Sequence, residues 1–219
     1  IKRVKEAMQI AILAGGLATR LRPLTEKIPK SMIRIEGKPF LEYQIDLLKE
    51  QGIKDIVVCI GYLGGQILNY FGDGKRFGVK IRYSDEGERL LGTAGALKKA
   101  GNLLKDEFFV MYGDSYLFLD FHAIASYFHQ FNKLALMTIY KNYNQYDKSN
   151  TAIEGNLVKK YSKKVKTEDM VYIDYGVSLL RKNVLNLIPP DTPYPLEELF
   201  SKLIIQKQML AFEVKKRFY

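Results

Sequence analysis

An α/β fold, with a mostly parallel sheet covered by helices on both faces, is what this sequence predicts, on three observations. Short apolar runs of strand length alternate with helix-period segments through the first half of the chain. Two of these runs, Met8 to Ala14 and Asp55 to Ile60, have the bulk of strands buried on both faces. Glycine-rich or polar turns close the runs, and in open parallel sheets that edge is where ligands gather.

The elements follow in order. Met8 to Ala14 is the first strand, and it breaks at Gly15-Gly16. No periodic pattern returns for more than twenty residues, until a helix from Pro39 to Gln51 with Phe40, Leu41, Ile45 and Leu48 on one stripe. Pro39 at its first turn and Gly52 just past its end match the usual asymmetry of helix termini. Asp55 to Ile60 is the second strand, Gly64 to Phe71 a short helix, and Val79 to Ser84 an alternating third strand. Ala94 to Leu104 reads as helix, and Phe108 to Tyr112 as a fourth strand closed by Gly113-Asp114-Ser115. A helix bearing Phe121, Ile124, Ala125, Phe128 and Phe131 leads to a strand from Leu134 to Tyr140. From Asn142 to Tyr175 the pattern shortens to Thr151–Ile153, Leu157 to Tyr161 and Met170 to Ile173, read as a β-rich cap. Gly176 to Leu180 rejoins the core, Pro195 to Gln208 is helical, and Met209 to Val214 is a final strand. No internal repeat is apparent. The expected architecture is a Rossmann-like sheet in one domain, 1-219, with a first half (1-120) and a second half (121-219).

Composition narrows the classes. With 47% hydrophobic residues in 219, the chain can bury a substantial core and is not a disordered sequence. Its apolar runs are too short to span a membrane, and no secretory signal pattern precedes the first strand. A single cysteine, Cys59, excludes a disulfide framework within the chain and reads as a small core residue. The expectation is a cytoplasmic protein with no membrane partner. The net charge of +10 suits an acidic ligand. The lysine clusters at 159–160, 163–166 and 215–217 are short and scattered, so they read as solvated faces, with no nucleic acid partner. His122 and His129 have no cysteine or histidine nearby and read as packing or surface residues.

The stretch after the first strand carries the chemistry. Gly15 and Gly16 let backbone N–H groups approach an anion, and Arg20, Arg22, Lys27, Lys30, Arg34 and Lys38 outnumber Glu26 and Glu36. This is a polyphosphate-binding loop at a strand's carboxyl end. Neither Gly-x-x-x-x-Gly-Lys-Ser/Thr nor Gly-x-Gly-x-x-Gly matches it. The spacing Gly15-Gly16-x-x-Thr19-Arg20-Leu21-x-Pro23-Leu24-Thr25, with Pro29-Lys30 beyond, resembles the signature of the sugar-1-phosphate nucleotidyltransferases, the nucleotide-sugar pyrophosphorylases. Ala18 departs from that family's second glycine by one methyl group. The overall pattern is nearest to enzymes acting on mannose or manno-heptose 1-phosphates, with N-acetylmuramate 1-phosphate uridylyltransferases close by.

The resemblance implies roles for named residues. Leu13, Ala14, Gly15, Gly16 and Thr19 would line the nucleotide, with Arg20 and the glycine amides on its β,γ-phosphates. Lys30 would bridge the α-phosphate and the sugar phosphate. Asp114, a carboxylate at a strand end, suits Mg²⁺, which takes one or two carboxylates and fills its shell with water and phosphate oxygens. Gly92, Thr93 and Gly95 resemble a base-contacting segment of the family's guanylyltransferases, with Glu86 ahead of them as a further polar group; the segment also reads as a tightly packed helix start. In the second half, Lys164, Asp174 and Gly176 match the family's sugar-phosphate motifs, although Lys163 and Asp174 stand where glutamate and asparagine are usual. Asn150 is a further candidate beside its reading as a turn residue. The family's second acidic metal ligand follows the final strand, where this sequence reads Arg217-Phe218-Tyr219. The expected activity is Mg²⁺-dependent transfer from a nucleoside triphosphate, GTP before others, to a sugar 1-phosphate. The rivals are a cytidylyl- or uridylyltransferase for another phosphorylated small molecule, and a catalytically silent nucleotide-binding subunit. Self-association as a homo-oligomer is compatible with each.

Overall fold

The computed structural model describes residues 7–87 and 89–216. Arg217-Phe218-Tyr219, where a second acidic ligand was expected to begin, lies outside the described residues. Within them, one nine-stranded sheet runs through both halves, flanked by helices on both faces.

Strands β1 (Gln9–Leu13), β4 (Asp55–Ile60), β5 (Lys80–Asp85) and β6 (Glu107–Tyr112) pair in parallel in the order β5-β4-β1-β6. Between β1 and β4, the short strands β2 (Arg34–Ile35) and β3 (Lys38–Pro39) form a separate hairpin. Period-two alternation distributes each core strand between two apolar layers. Ile10, Ile12, Phe109 and Met111 face one layer, while Ala11, Phe108 and Val110 face the other. The first layer is closed by α1 (Phe40–Glu50), α2 (Gly64–Phe71) and α4 (Phe121–Phe128), through Leu41, Ile45, Ile67, Phe121 and Phe128. The second is closed by α3 (Gly92–Lys99) and α5 (Leu196–Ile205), through Ala94, Leu97, Leu199 and Phe200. The strand order therefore reverses at β1: α1 leads the chain out to one side, and α3 brings it back on the opposite face. A crevice opens at such a switch point.

The second half differs from expectation in two ways. β10 (Tyr172–Arg181) is one strand rather than a cap segment plus a core segment. It lies antiparallel between β6 and β7 (Ala135–Lys141), so the sheet is mixed. Its register shifts between Asp174 and Ser178, which is what interrupted the alternation in the sequence. The β-rich cap is likewise continuous with the sheet. β8 (Thr151–Glu154) and β9 (Leu157–Tyr161) extend its edge beyond β11 (Met209–Val214), which itself pairs in parallel with β7. Pro39 precedes α1 instead of entering it, because it is paired with Arg34 in the hairpin. Among the described residues, no helix is long and apolar enough to cross a membrane.

Candidate active site

Beyond the carboxyl ends of β1, β4 and β6 lies a cavity of about 530 Å³. Its floor is stitched from neighbouring strand ends. The Ala14 N–H donates to the Cys59 carbonyl, and the Gly113 N–H to the Leu13 carbonyl, each at 2.9 Å. Leu13, Ala14, Gly15, Gly16, Thr19 and Arg20 all line it from the loop side, and Lys30, Glu86, Gly92, Thr93 and Asp114 from the others. A Cβ on Gly15 would stand 2.5 Å from the Glu86 Oε1 and 3.2 Å from the Gly61 N, so any side chain there would force the Glu86 carboxylate to shift. The long segment after Gly16 is not featureless, for it folds into three short 3₁₀ turns, at Thr19–Leu21, Leu24–Glu26 and Lys30–Met32. Ala18 enters the first turn in the left-handed region (φ +47°), and the buried Thr25 hydroxyl donates to its carbonyl at 2.9 Å. A glycine would adopt that conformation at lower steric cost.

Lys30 and Asp114, 84 residues apart in sequence, meet at the mouth of the cavity, with Nζ 2.6 Å from Oδ2. Gln44, buried within the apolar stripe of α1, holds the turn that carries Asp114. Its Nε2 donates to the Tyr112 carbonyl at 2.9 Å and to the Ser115 carbonyl at 2.6 Å. Sequence reading did not single out Gln44, though an amide on an otherwise apolar stripe was the available signal. Among the described residues no cluster of three or more His, Cys, Asp or Glu side chains forms a metal cage. A lone, accessible carboxylate beside a phosphate loop nevertheless fits Mg²⁺ carried in with a nucleotide, since phosphate oxygens and water complete its shell.

The wall opposite the loop is made by Glu86 and the start of α3. The Leu91 N–H donates to the Glu86 Oε2 at 2.5 Å. Burial pushes the Glu86 carboxyl above its ordinary value, against the pull of the Leu91 N–H and of the Lys99 charge. Gly92 has φ +69°, and a Cβ on it would meet the Tyr194 backbone at 3.0–3.2 Å. The Ala94 and Gly95 N–H groups both donate to the Tyr194 carbonyl, and the Leu196 N–H donates to the Thr93 Oγ1 at 2.7 Å. So Gly92 and Thr93 line the cavity and also clamp the segment ahead of α5. Gly95 does not line it; it packs on Leu91 and the Thr192 carbonyl, in a separate groove behind α3. Cys59 is part of the floor, and burial raises its thiol to about 12, so it stays protonated.

The second-half candidates are placed differently. Lys164, Asp174, Gly176 and Asn150 are not among the cavity's lining residues. Asp174 is held from within: its Oδ1 accepts the Gly176 N–H at 2.9 Å and its Oδ2 the Tyr161 hydroxyl at 3.1 Å. Burial drives the Asp174 carboxyl upward, with the Gly176 N–H, the Lys163 charge and Tyr161 pulling it back. The Asn150 Oδ1 accepts the Asp174 N–H at 2.8 Å, so Asn150 fixes the strand bearing Asp174. The Lys163 Nζ lies 5.2 Å from the centroid of the Tyr112 ring, which lines the cavity. Of Lys164 the contact seen is a backbone one, its N–H donating to the Ser162 Oγ. His129 pairs with Glu107 at 2.7 Å.

Comparison with known proteins identifies the family. A model of the nucleotidyl transferase family matches residues 10–213. Over 89% of its length and 82% of the relative's, the chain is 36% identical to a D-glycero-alpha-D-manno-heptose 1-phosphate guanylyltransferase of Campylobacter jejuni. It is 33% identical to a UTP–glucose-1-phosphate uridylyltransferase of Synechocystis, over 90% of this chain but only 55% of that protein. Among solved structures, HddC from Yersinia pseudotuberculosis complexed with GMP-PN is similar with a TM-score of 0.76 at 25% identity, covering 97% of this chain and 92% of the other. With that family model matched over most of its length, the chain belongs to the nucleotidyl transferase family.

Proposed function

We propose that this chain transfers a guanylyl group from GTP to a sugar 1-phosphate, with Mg²⁺, releasing pyrophosphate. The observation that carries the reading is the convergence of the glycine loop, Arg20, Lys30 and Asp114 on one cavity at the switch point of the sheet. An oxygen of the sugar phosphate attacks the α-phosphorus, the bond to the β-phosphate oxygen breaks, and pyrophosphate leaves on the opposite side. The nucleophile is already an anion, so no protein base is required. The difficulty is bringing several negative charges together, which calls for positioning and charge neutralisation. The Gly15 and Gly16 amides and Arg20 hold the leaving phosphates, and Lys30 spans the α-phosphate and the incoming phosphate. Lys163 takes the part first expected of Lys164, because its ammonium lies over the Tyr112 ring. Asp114 would hold Mg²⁺, which when bound supplies positive charge to the phosphate oxygens.

The preference for GTP rests on the wall formed by Glu86, Gly92 and Thr93. An ionised carboxylate only accepts hydrogen bonds, and guanine offers two adjacent donors, N1–H and the 2-amino group, on one edge. The guanylyltransferase named among the relatives, matched across most of both chains, supports the same reading. A uridylyl reading is favoured by the Synechocystis relative, and uracil offers a single ring N–H to the same wall. Calorimetric titration with GTP, UTP, CTP and dTTP separates them. GTP is expected to bind tightest, and tightest binding of UTP or dTTP would overturn the base assignment.

A further inference from the structure

We propose that Asp114 is also the resting anchor of Lys30, so that loss of this anchor to a divalent cation delivers the lysine to phosphate. The inference rests on the site assigned above and adds a coupling that the assignment does not contain. Both backbones at this contact are fixed. Lys30 opens a 3₁₀ turn closed by the Met32 N–H on the Pro29 carbonyl, and the next residue, Ser31, is buried. Asp114 stands in the turn that Gln44 holds through Tyr112 and Ser115. Exchange of partners therefore needs rotation of one flexible side chain and no movement of the fold.

The chemistry of the contact makes its two uses exclusive. In the structure the ammonium lies 2.6 Å from the Asp114 Oδ2, with the two side chains 42% and 40% exposed. A divalent cation on the same carboxylate repels the ammonium, and a phosphate beside it attracts the ammonium. An ion pair this open to water is weak, so both events can displace it. Metal on Asp114 and phosphate on Lys30 then favour each other, and by linkage each raises the other's affinity by one common factor. Without metal, phosphate has to compete with Asp114 for Lys30.

The test uses GTP, whose α-phosphate is the group placed on Lys30, as probe in excess chelator, by calorimetry on wild type, Asp114→Asn, Lys30→Ala and the double variant, with wild type also titrated in Mg²⁺. Asp114→Asn should tighten GTP binding by about threefold or more, since the lysine is set free, and the tightening should vanish in the Lys30→Ala background. Asp114→Ala provides a second release variant with the same expectation. Unchanged or weaker binding in both Asp114 variants would overturn the proposal. So would equal tightening with and without Lys30, which would mean that the carboxylate only repels the anion. If wild type binds GTP in Mg²⁺ while the cycle shows no coupling, the anchor alone is disproved. If wild type binds no GTP in Mg²⁺ either, the phosphate site falls, and the anchor with it.

Discussion

At the scale of single residues, Lys30 is where the account is most exposed. Its charge is half accessible and, among the described residues, paired with Asp114 across the cavity mouth, so it contributes little to folding. Lys30→Ala should lower kcat/KM for nucleotidyl transfer by about 100-fold or more, with the melting temperature nearly unchanged, as steady-state kinetics and thermal melts would show. Near-normal turnover would remove Lys30 from the site. Residues of this kind were legible in the sequence because glycines, cations and a strand-end aspartate at fixed spacing announce phosphate chemistry. Lys163 was not legible, because it and Lys164 lie in a bend just past β9, where no strand alternation in the sequence tells which of two adjacent lysines approaches Tyr112. Gln44 was hidden for another reason. Its donors serve the Tyr112 and Ser115 carbonyls, partners about seventy residues downstream that no local pattern reveals.

At the scale of elements, the start of α3 joins the two halves of the site. Gly92 combines a positive φ with close backbone contact to Tyr194, and the N–H groups of Ala94 and Gly95 end on the Tyr194 carbonyl. Gly92→Ala should therefore destabilise the protein by roughly 1–3 kcal/mol. It should also weaken nucleotide binding, because the displaced turn is part of the cavity wall. Urea unfolding and nucleotide titration of the variant measure both, and an unchanged midpoint would mean that the clamp is unimportant. Elements built on continuous apolar runs, such as β4, or on clear helical stripes, such as α2, appeared in the sequence with their boundaries almost intact. β10 did not, because its register shift beside Gly176 (φ +102°) reads as a strand ending. The edge strands β8 and β9 suggested a separate cap for a related reason: their attachment to the sheet runs through single register contacts with distant strands.

At the scale of the whole molecule, strand order sets where the chemistry happens. β1 lies between β4 and β6, the helices α1 and α3 that lead into those two strands lie on opposite faces, and the glycine loop, Glu86 with Gly92 and Thr93, and Asp114 open onto the crevice so formed. The antiparallel β10, inserted beside β6, brings Asp174 and Gly176 alongside that crevice without lining it. A fold of this kind, with membership of the nucleotidyl transferase family, leaves the reaction itself as the central claim. It is tested most directly by pyrophosphate release from GTP mixed with mannose or manno-heptose 1-phosphates in Mg²⁺, alongside the same sugars with UTP, CTP and dTTP. The account predicts stoichiometric pyrophosphate and a nucleotide sugar, fastest with GTP. Absence of pyrophosphate from every combination, by a folded protein that still binds GTP, would contradict it.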